Sequence, residues 1–272
     1  MSTGPHFGAS AYLERIGIDG PIRPVASDLA RLHRAQRCTI PFENFDILLG
    51  RPIDIRPAAI FAKLVERRRG GYCFEQNGLF MSALAAFGFE ARFALARVHL
   101  GPQPTGLTHV LILVRIGGED WLADVGFGGG GPRAPLRLVR DVVQRHDRLA
   151  FRLVECAPFG TMLEVETDGS WRRLYSFEDR PVLPVDLALG NHYTSSHPDS
   201  FFTYARVASR VEPDGRTALY DHRLTIERGG VTTEETVGGG AAYIEMLAQR
   251  FGIELDAPFE ALRPLHPPPA ER

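Results

Sequence analysis

Cys73 is the residue of this sequence whose type and setting best suit covalent chemistry. It lies in the segment RGGYCFEQN (residues 69–77), and the apolar pattern from Phe74 to Phe87 predicts a helix that begins at or near it. Unpaired amides at a helix N-terminus favour an anion, so we expect the pKa of this thiol to fall below its usual value of about 8.5. The same amides could bind the oxyanion formed when a thiolate attacks an acyl carbonyl. Most free cysteines are instead small buried hydrophobic residues, and the local context alone favours neither interpretation.

A cysteine nucleophile needs a general base, and the base needs a group that orients it. His109 begins the apolar run HVLILV (109–114), and Asp124 follows the run WLA (121–123). The turn at 117–120 predicts that these runs are antiparallel neighbours, with residue 115 or 116 opposite 121. That register offsets His109 from Asp124, so their contact requires help from register or twist. Spacing does not choose among the other candidate bases, which are His33, His99, His146, His192, His197 and His222.

Two further segments have a composition suited to ligand binding. The run GFGGGGP (126–132) directly follows Asp124 but lacks the Gly-Lys-Ser/Thr ending of a phosphate-binding loop, so ATP binding is not predicted. Its amides could approach a pyrophosphate or pantetheine arm, and we expect it to border the same site. Phe42 and Phe45, in PFENF (41–45), are core residues by default, although loop aromatics beside a cleft could line an aromatic-substrate pocket.

Composition and charge argue against several classes of protein. The chain has 272 residues, of which 44% are hydrophobic and 24% charged, as in ordinary folded proteins. The formal charge of −2 gives no reason to expect binding to nucleic acid or to an anionic membrane. We expect no membrane span and no secretory signal, and three cysteines suit a reducing cytoplasm better than a disulfide framework. No Cys-x-x-Cys or His-x-x-x-His spacing occurs, so no bound metal is predicted.

The elements that must position these residues change in character along the chain. Helical patterns begin near Ser10, Ser27, Pro57 and Cys73, and the last of them ends at Gly88. Extended runs then dominate, at 91–100, 109–116, 121–125, 151–155, 162–166, 171–177, 204–211, 219–226 and 231–236, before a helix at 241–251. The tail at 264–272 is expected to be extended. This order predicts an α+β fold in two or three parts, with boundaries near 88 and 195.

Taken together, the motifs resemble those of the arylamine N-acetyltransferase family. RGGYCFEQN (69–77) is similar to its nucleophile motif, and PFENF (41–45) to its N-terminal motif. THV (108–110) and DVGFG (124–128) resemble its histidine and aspartate segments, in family order. NHYTSSHPDSFF (191–202) is similar to the segment that enters its third domain. The first four of these motifs, in the right order, are far more specific than any one of them.

The resemblance implies a fold in three parts with a cysteine-protease-like catalytic core. These are a helical bundle at 1–88 that carries the nucleophile, a β-barrel-like domain at 89–195 that carries the histidine and the aspartate, and an α/β lid at 196–272. Cys73 would be the nucleophile, His109 its base and Asp124 the partner of the imidazole. The implied activity moves acetyl from acetyl-CoA, a co-substrate rather than a bound cofactor, to small aromatic amines, hydrazines or N-hydroxyarylamines. Such chemistry belongs to xenobiotic metabolism in the cytoplasm.

The resemblance also implies roles for residues around the triad. Phe42, Phe74, Phe127 and Phe202 would line an aromatic pocket. Thr108 and Gly128 would lie close to the acetyl group and the CoA arm. Arg69 and Glu43 would form a buried pair that supports the triad without taking part in the chemistry.

Three other functions remain as alternatives. An amide synthase of the same fold would use this triad to close a macrocycle from a carrier-bound thioester. A cysteine protease or transglutaminase is more remote, because the four motifs fit those families poorly. In a metal-binding module, Cys73, His109 and Asp124 would hold zinc, but the sequence lacks the usual ligand spacing.

Overall fold

The first part of the chain is helical and supplies the nucleophile. The structure, a computed structural model, describes residues 7–265, so most of the tail at 264–272 lies outside it. Its helices are α1 (Ala9–Ile16), α2 (Ala26–Thr39), α3 (Phe45–Leu48), α4 (Pro57–Phe61), which continues as a π-helical turn (Ala62–Glu66), and α5 (Cys73–Ala86). A short strand, β1 (Phe42–Glu43), lies between α2 and α3.

The glycines predicted to end helices and the proline predicted to begin one are confirmed, but the two serines predicted as N-caps are not. Pro57 opens α4, and Gly17 and Gly88 follow α1 and α5 with positive φ angles of 69° and 80°. Ser10 and Ser27 lie inside the first turns of α1 and α2, whose N-cap positions are taken by Gly8 and Val25 without a side-chain cap. The helices therefore begin slightly earlier than predicted, stabilised by their buried faces rather than by caps.

The middle of the chain forms an eight-stranded antiparallel sheet that is barrel-like. Its strands are β2 (Glu90–Val98), β3 (His109–Ile116), β4 (Glu119–Ala123), β5 (Leu136–Arg137), β6 (Gln144–His146), β7 (Leu149–Glu155), β8 (Thr161–Thr167) and β9 (Ser170–Phe177). Their order is β5-β4-β3-β2-β9-β8-β7-β6. Along β3 the side chains alternate, since Leu111 and Leu113 face the sheet's own core while Ile112 and Val114 pack against α5. One strand thus joins the nucleophile helix to the barrel interior.

The last part combines a second sheet with two helices. Its elements are α6 (Pro184–Ser196), β10 (Val207–Glu212), β11 (Gly215–Tyr220), β12 (Arg223–Arg228), β13 (Val231–Thr236) and α7 (Ala241–Met246), with a π-helical turn at Leu247–Phe251. β1 pairs with β10, so the sheet order is β1-β10-β11-β12-β13. The single strand predicted at 219–226 is wrong, because Asp221 turns the chain with a φ of 54° between β11 and β12.

The α+β class predicted from the sequence is confirmed. Helices come first, a barrel-like sheet follows, and a five-stranded sheet with α7 closes the described chain. Within residues 7–265, no helix combines the length and the apolar character needed to span a membrane.

Candidate active site

Cys73 lies where α5 meets the strand end that carries His109. It is the first residue of α5, as predicted, and only 4% of its surface is exposed. Its Sγ is 3.9 Å from the carbonyl oxygen of Thr108, and the amides of Val110 and Phe74 lie near enough to the sulfur to lower the pKa of the thiol. Because Thr108 and Val110 flank His109 in the chain, the sulfur lies directly against the beginning of β3.

The prediction of a low pKa for the Cys73 thiol is wrong for a thiol that has no charged imidazole beside it. Burial raises this pKa well above its ordinary value, and the charge of Asp124 raises it further. The amides of Val110 and Phe74 lower the pKa by less. The helix N-terminus lies in an enclosed site, so desolvation outweighs the helix dipole. A thiolate at this position therefore needs a neighbouring cation.

His109 and Asp124 form a buried pair. The Nε2 atom of His109 lies 2.8 Å from Oδ2 of Asp124, and both side chains are almost wholly buried. The strands turn through Gly117 and Gly118, whose φ angles are 59° and 85°, as a two-residue hairpin requires. Ile116 therefore pairs with Glu119. If this register continued past its last pair, Ile112 with Ala123, Leu111 would lie opposite Asp124. His109 is two residues from Leu111 on the same face, so His109 and Asp124 are diagonal neighbours whose side chains can meet.

The Asp124 carboxylate is fixed through both of its oxygens. Oδ1 accepts hydrogen bonds from the Gly126 amide at 2.9 Å and from Nδ2 of Asn77 at 3.0 Å, while Oδ2 faces His109. Burial alone would raise the pKa of Asp124, but His109 and these hydrogen bonds reverse that effect and hold the pKa well below its ordinary value. Asp124 is therefore a carboxylate at any physiological pH.

A second histidine holds the main chain at Asp124. The Nε2 atom of His33 accepts the Asp124 amide at 3.2 Å. Burial and the charge of Arg37 lower the pKa of His33 to about 3, so its imidazole is a neutral acceptor. Among the candidate bases, His109 is the one paired with the Asp124 carboxylate, and His33 supports the backbone beside it.

Three of the four aromatic residues expected to line a pocket, Phe42, Phe74 and Phe202, converge beside Cys73, whereas Phe127 packs against the barrel core. The rings of Phe42 and Phe202 are 5.9 Å apart, and Tyr72 contacts both Phe74 at 5.6 Å and Phe202 at 5.8 Å. Phe42, Tyr72, Phe74 and Cys73 belong to one apolar cluster, against which Phe202 packs. Three distant segments, β1, the start of α5 and the turn at Phe201–Thr203, thus build one aromatic surface next to the sulfur.

The glycine-rich loop packs against both the histidine and this surface. The ring of Phe127 meets His109 edge-on at 5.1 Å, with Tyr175 packed against both rings at 5.0 Å. Gly128 has a φ of 75°, and a Cβ there would lie 3.8 Å from the Phe42 ring. Arg37 secures the loop from α2 by donating to the carbonyl oxygens of Val125, Gly128 and Pro132.

Thr108 enters the site through its main chain. Its carbonyl oxygen faces Cys73, whereas its hydroxyl donates to the hydroxyl of Thr105 at 2.9 Å. A residue expected near the acetyl group therefore contributes its backbone rather than its side chain.

Arg69 and Glu43 form the buried pair that the family resemblance implied. Nη2 of Arg69 lies 2.7 Å from Oε1 of Glu43, whose Oε2 accepts the Phe45 amide at 2.8 Å. Lys63 extends this network, with Nζ 2.6 Å from Asp46 and 2.7 Å from Glu75. No contact described for Arg69 or Glu43 within residues 7–265 reaches the triad, so the network braces the chain around the nucleophile.

Four further residues contact the site, and the sequence assigned no role to three of them and named His33 only as a candidate base. Asn77 follows Cys73 by one helical turn, a spacing that places both on one face and could have identified it. His33, Arg37 and Tyr175 come from α2 and β9, and no local pattern connects them to Cys73. Only the tertiary fold brings them to Asp124 and to the loop after it.

The fold and the site together define a class of protein. A cysteine opens a helix that packs against an antiparallel sheet, and that sheet supplies a histidine paired with a carboxylate. This arrangement is that of an α+β enzyme with a cysteine-protease-like core.

Comparisons with known proteins identify the family. A family model described as N-acetyltransferase matches residues 27–259. The arylamine N-acetyltransferase of Mycolicibacterium smegmatis is 38% identical over 252 residues, which are 90% of this chain and 91% of the relative. The structure of the enzyme from Salmonella typhimurium matches with a TM-score of 0.87 and 34% identity, over 92% of each chain. That of the Mycobacterium marinum enzyme in complex with CoA matches with a TM-score of 0.85 and 37% identity, over 90% of this chain and 92% of that one. The chain belongs to the arylamine N-acetyltransferase family, as its motifs predicted.

Proposed function

We propose that this protein transfers an acetyl group from acetyl-CoA to aromatic amines, hydrazines or N-hydroxyarylamines through an acetyl-Cys73 intermediate. The observation that carries the proposal is the position of Cys73 at the start of α5, against the strand end where His109 meets Asp124. The names of the relatives support arylamines and N-hydroxyarylamines as acceptors, and the CoA complex of the Mycobacterium marinum enzyme supports the donor.

In the first half-reaction, Cys73 is acetylated. His109 takes the thiol proton on Nδ1, because Asp124 occupies Nε2, and a thiolate–imidazolium pair results. The buried carboxylate of Asp124 stabilises the imidazolium, and the imidazolium offsets the raised pKa of the thiol. The thiolate adds to the thioester carbonyl, whose oxygen becomes an anion that accepts a hydrogen bond from the Cys73 amide. The carbon–sulfur bond to CoA then breaks, and the CoA thiolate leaves with the proton from His109.

In the second half-reaction, an amine takes the acetyl group. The aromatic surface formed by Phe42, Phe74 and Phe202 binds the ring of the acceptor. The amine nitrogen adds to the acetyl-Cys73 carbonyl while His109 accepts the proton that the nitrogen loses. Collapse of the tetrahedral adduct releases the amide and restores the Cys73 sulfur, which regains its proton from His109. Phe127, packed against the imidazole, keeps the ring in the orientation that both steps use.

We further propose that each part of the chain has its own role in the reaction. Within residues 7–265, the helical bundle up to residue 88 supplies the nucleophile, the barrel at 89–195 supplies the base and the carboxylate, and the lid after residue 195 covers the site. Thr108 and Gly128 border the acetyl group and the CoA arm, and the Arg69–Glu43 pair holds the segment before Cys73. A catalytic thiol suits the reducing cytoplasm, where such an enzyme would act in xenobiotic metabolism.

Steady-state kinetics test this proposal. Initial rates measured against acetyl-CoA at several fixed concentrations of an aromatic amine should give parallel double-reciprocal lines, since CoA leaves before the amine reacts. Intersecting lines would contradict a covalent acetyl-enzyme. No turnover with acetyl-CoA, but turnover with a carrier-bound thioester, would instead identify the macrocycle-closing amide synthase.

A further inference from the structure

Asn77 is a fully buried polar residue whose side chain connects α5 to β3 and to the residues that follow β4. It lies on α5, one helical turn after Cys73. Its Nδ2 donates to the carbonyl oxygen of Val110 at 2.7 Å and to Oδ1 of Asp124 at 3.0 Å. Its Oδ1 accepts the Val125 amide at 3.1 Å. Both amide hydrogens and the amide oxygen are therefore used at once.

We propose that Asn77 is a positioning residue for the reaction. It fixes the helix of the nucleophile to the main chain beside His109 and to the carboxylate of Asp124. Val110 follows His109 and Val125 follows Asp124, so Asn77 fixes the main chain next to both triad members. Asn77 touches no reacting atom and acts through Asp124. The inference rests on the proposed function, because it gives Asn77 its role in that chemistry.

The contacts of Asp124 explain why one amide can have this effect. With Oδ1 held by Asn77 and Gly126, the carboxylate presents Oδ2 to His109 and cannot rotate away. The space around the amide is also tight, since a Cβ on Gly126 would lie 2.6 Å from Nδ2 of Asn77. Loss of the amide would leave a buried carboxylate short of a donor, with its Oδ1 held by the Gly126 amide alone.

Alkylation of Cys73 by iodoacetamide measures the proposed effect directly. This reaction needs the thiolate but no acyl donor. In a background with Cys38→Ala and Cys156→Ala, Cys73 is the one remaining cysteine, and intact-protein mass gives its alkylation rate. We expect Asn77→Ala to slow Cys73 alkylation at neutral pH by about 10- to 100-fold, the range for hydrogen bonds to a buried charge. Alkylation of folded Asn77→Ala at the wild-type rate would overturn the proposal.

The pH dependence of alkylation in Asn77→Asp distinguishes a positioning role of Asn77 from a role in packing alone. A protonated Asp at 77 can still donate to Asp124, whereas an ionised one repels it, and the nearby carboxylate raises the pKa of the new group. The charged and titratable groups that face Asp124 from neighbouring elements are His33 and Arg37 of α2, Cys73 of α5, His109 of β3 and Tyr175 of β9. They are common to both proteins, so we expect the alkylation rate of Asn77→Asp relative to wild type to fall at least tenfold from mildly acidic to mildly alkaline pH.

Gln76→Glu is the matched control. Gln76 is equally buried on the same helix, and its Nε2 donates to the carbonyl oxygens of Ile40, Pro41 and Gly71, none of which belongs to the triad. A buried carboxylate there should lower stability as pH rises without changing the relative alkylation rate of the folded protein, with folding followed by circular dichroism at each pH. A ratio for Asn77→Asp that does not change with pH, or that merely follows Gln76→Glu, would contradict the proposal. Failure of acetyl-CoA to acetylate wild type would sink the proposed function alone, because alkylation still reports on Asn77.

Discussion

Gly126→Ala is a small change with a large expected effect on the site. A Cβ at this position would lie 2.9 Å from Cα of Cys73, 3.0 Å from its carbonyl oxygen and 2.6 Å from Nδ2 of Asn77. Carbon atoms in proteins prefer separations of about 3.5–4.0 Å, so the loop and the start of α5 must move apart by roughly half an ångström. Gly126 has no positive φ, which makes this overlap, rather than backbone strain, the cause of any effect.

Both stability and rate should respond to that displacement. Overpacking of this kind costs about 1–3 kcal/mol of unfolding free energy. Misplacement of a reacting group by about 1 Å costs roughly 100-fold in rate, so half that distance should slow Cys73 acetylation by about tenfold. Urea unfolding and single-turnover acetylation measure the two quantities. Gly238→Ala is the control, because a Cβ there meets no atom within 4 Å. An unchanged acetylation rate in Gly126→Ala would refute the close packing of this loop against the nucleophile.

Three other substitutions test separate parts of the site. Asp124→Asn should lower kcat/KM by about 10³- to 10⁴-fold, since the imidazolium loses its buried counter-charge, and a loss below tenfold would rule out that role. His109→Gln should confine iodoacetamide alkylation of Cys73 to strongly alkaline pH, because burial raises the pKa of the thiol and no imidazolium remains to offset it; alkylation at the wild-type rate at neutral pH would show that the thiolate forms without His109. Lys63→Met should lower the unfolding free energy by about 3–5 kcal/mol in urea titrations, because Glu75 stays buried without its partner. A loss below about 1 kcal/mol would mean that this network contributes little.

The sequence predicted the elements of the site better than their environment. Apolar periodicity placed Cys73 at the start of a helix and gave β3 its observed limits, because both signals are local. The predicted pKa of the thiol was wrong because the pKa depends on how completely other segments enclose the sulfur. The same holds for His33 and Arg37, whose roles arise only where α2 meets the loop after Asp124.

The turn between β3 and β4 shows how a small local error changes a prediction about chemistry. A two-residue turn at Gly117 and Gly118, in place of the longer turn expected, shortens the offset between His109 and Asp124 and brings them into contact. α6 was missed for a different reason. Its outward face carries exposed apolar residues such as Leu189, so its sequence lacks the one-sided pattern typical of a surface helix.

Intact-protein mass after incubation with acetyl-CoA alone tests the central claim most directly. Wild type should gain one acetyl group, Cys73→Ala should gain none, and an aromatic amine or hydrazine should remove the group from the wild-type protein. Cys38→Ala and Cys156→Ala, which remove the other two cysteines, should be acetylated like wild type. Acetylation that persists in folded Cys73→Ala, or its absence from folded wild type with a free thiol, would contradict the acetyl-Cys73 mechanism.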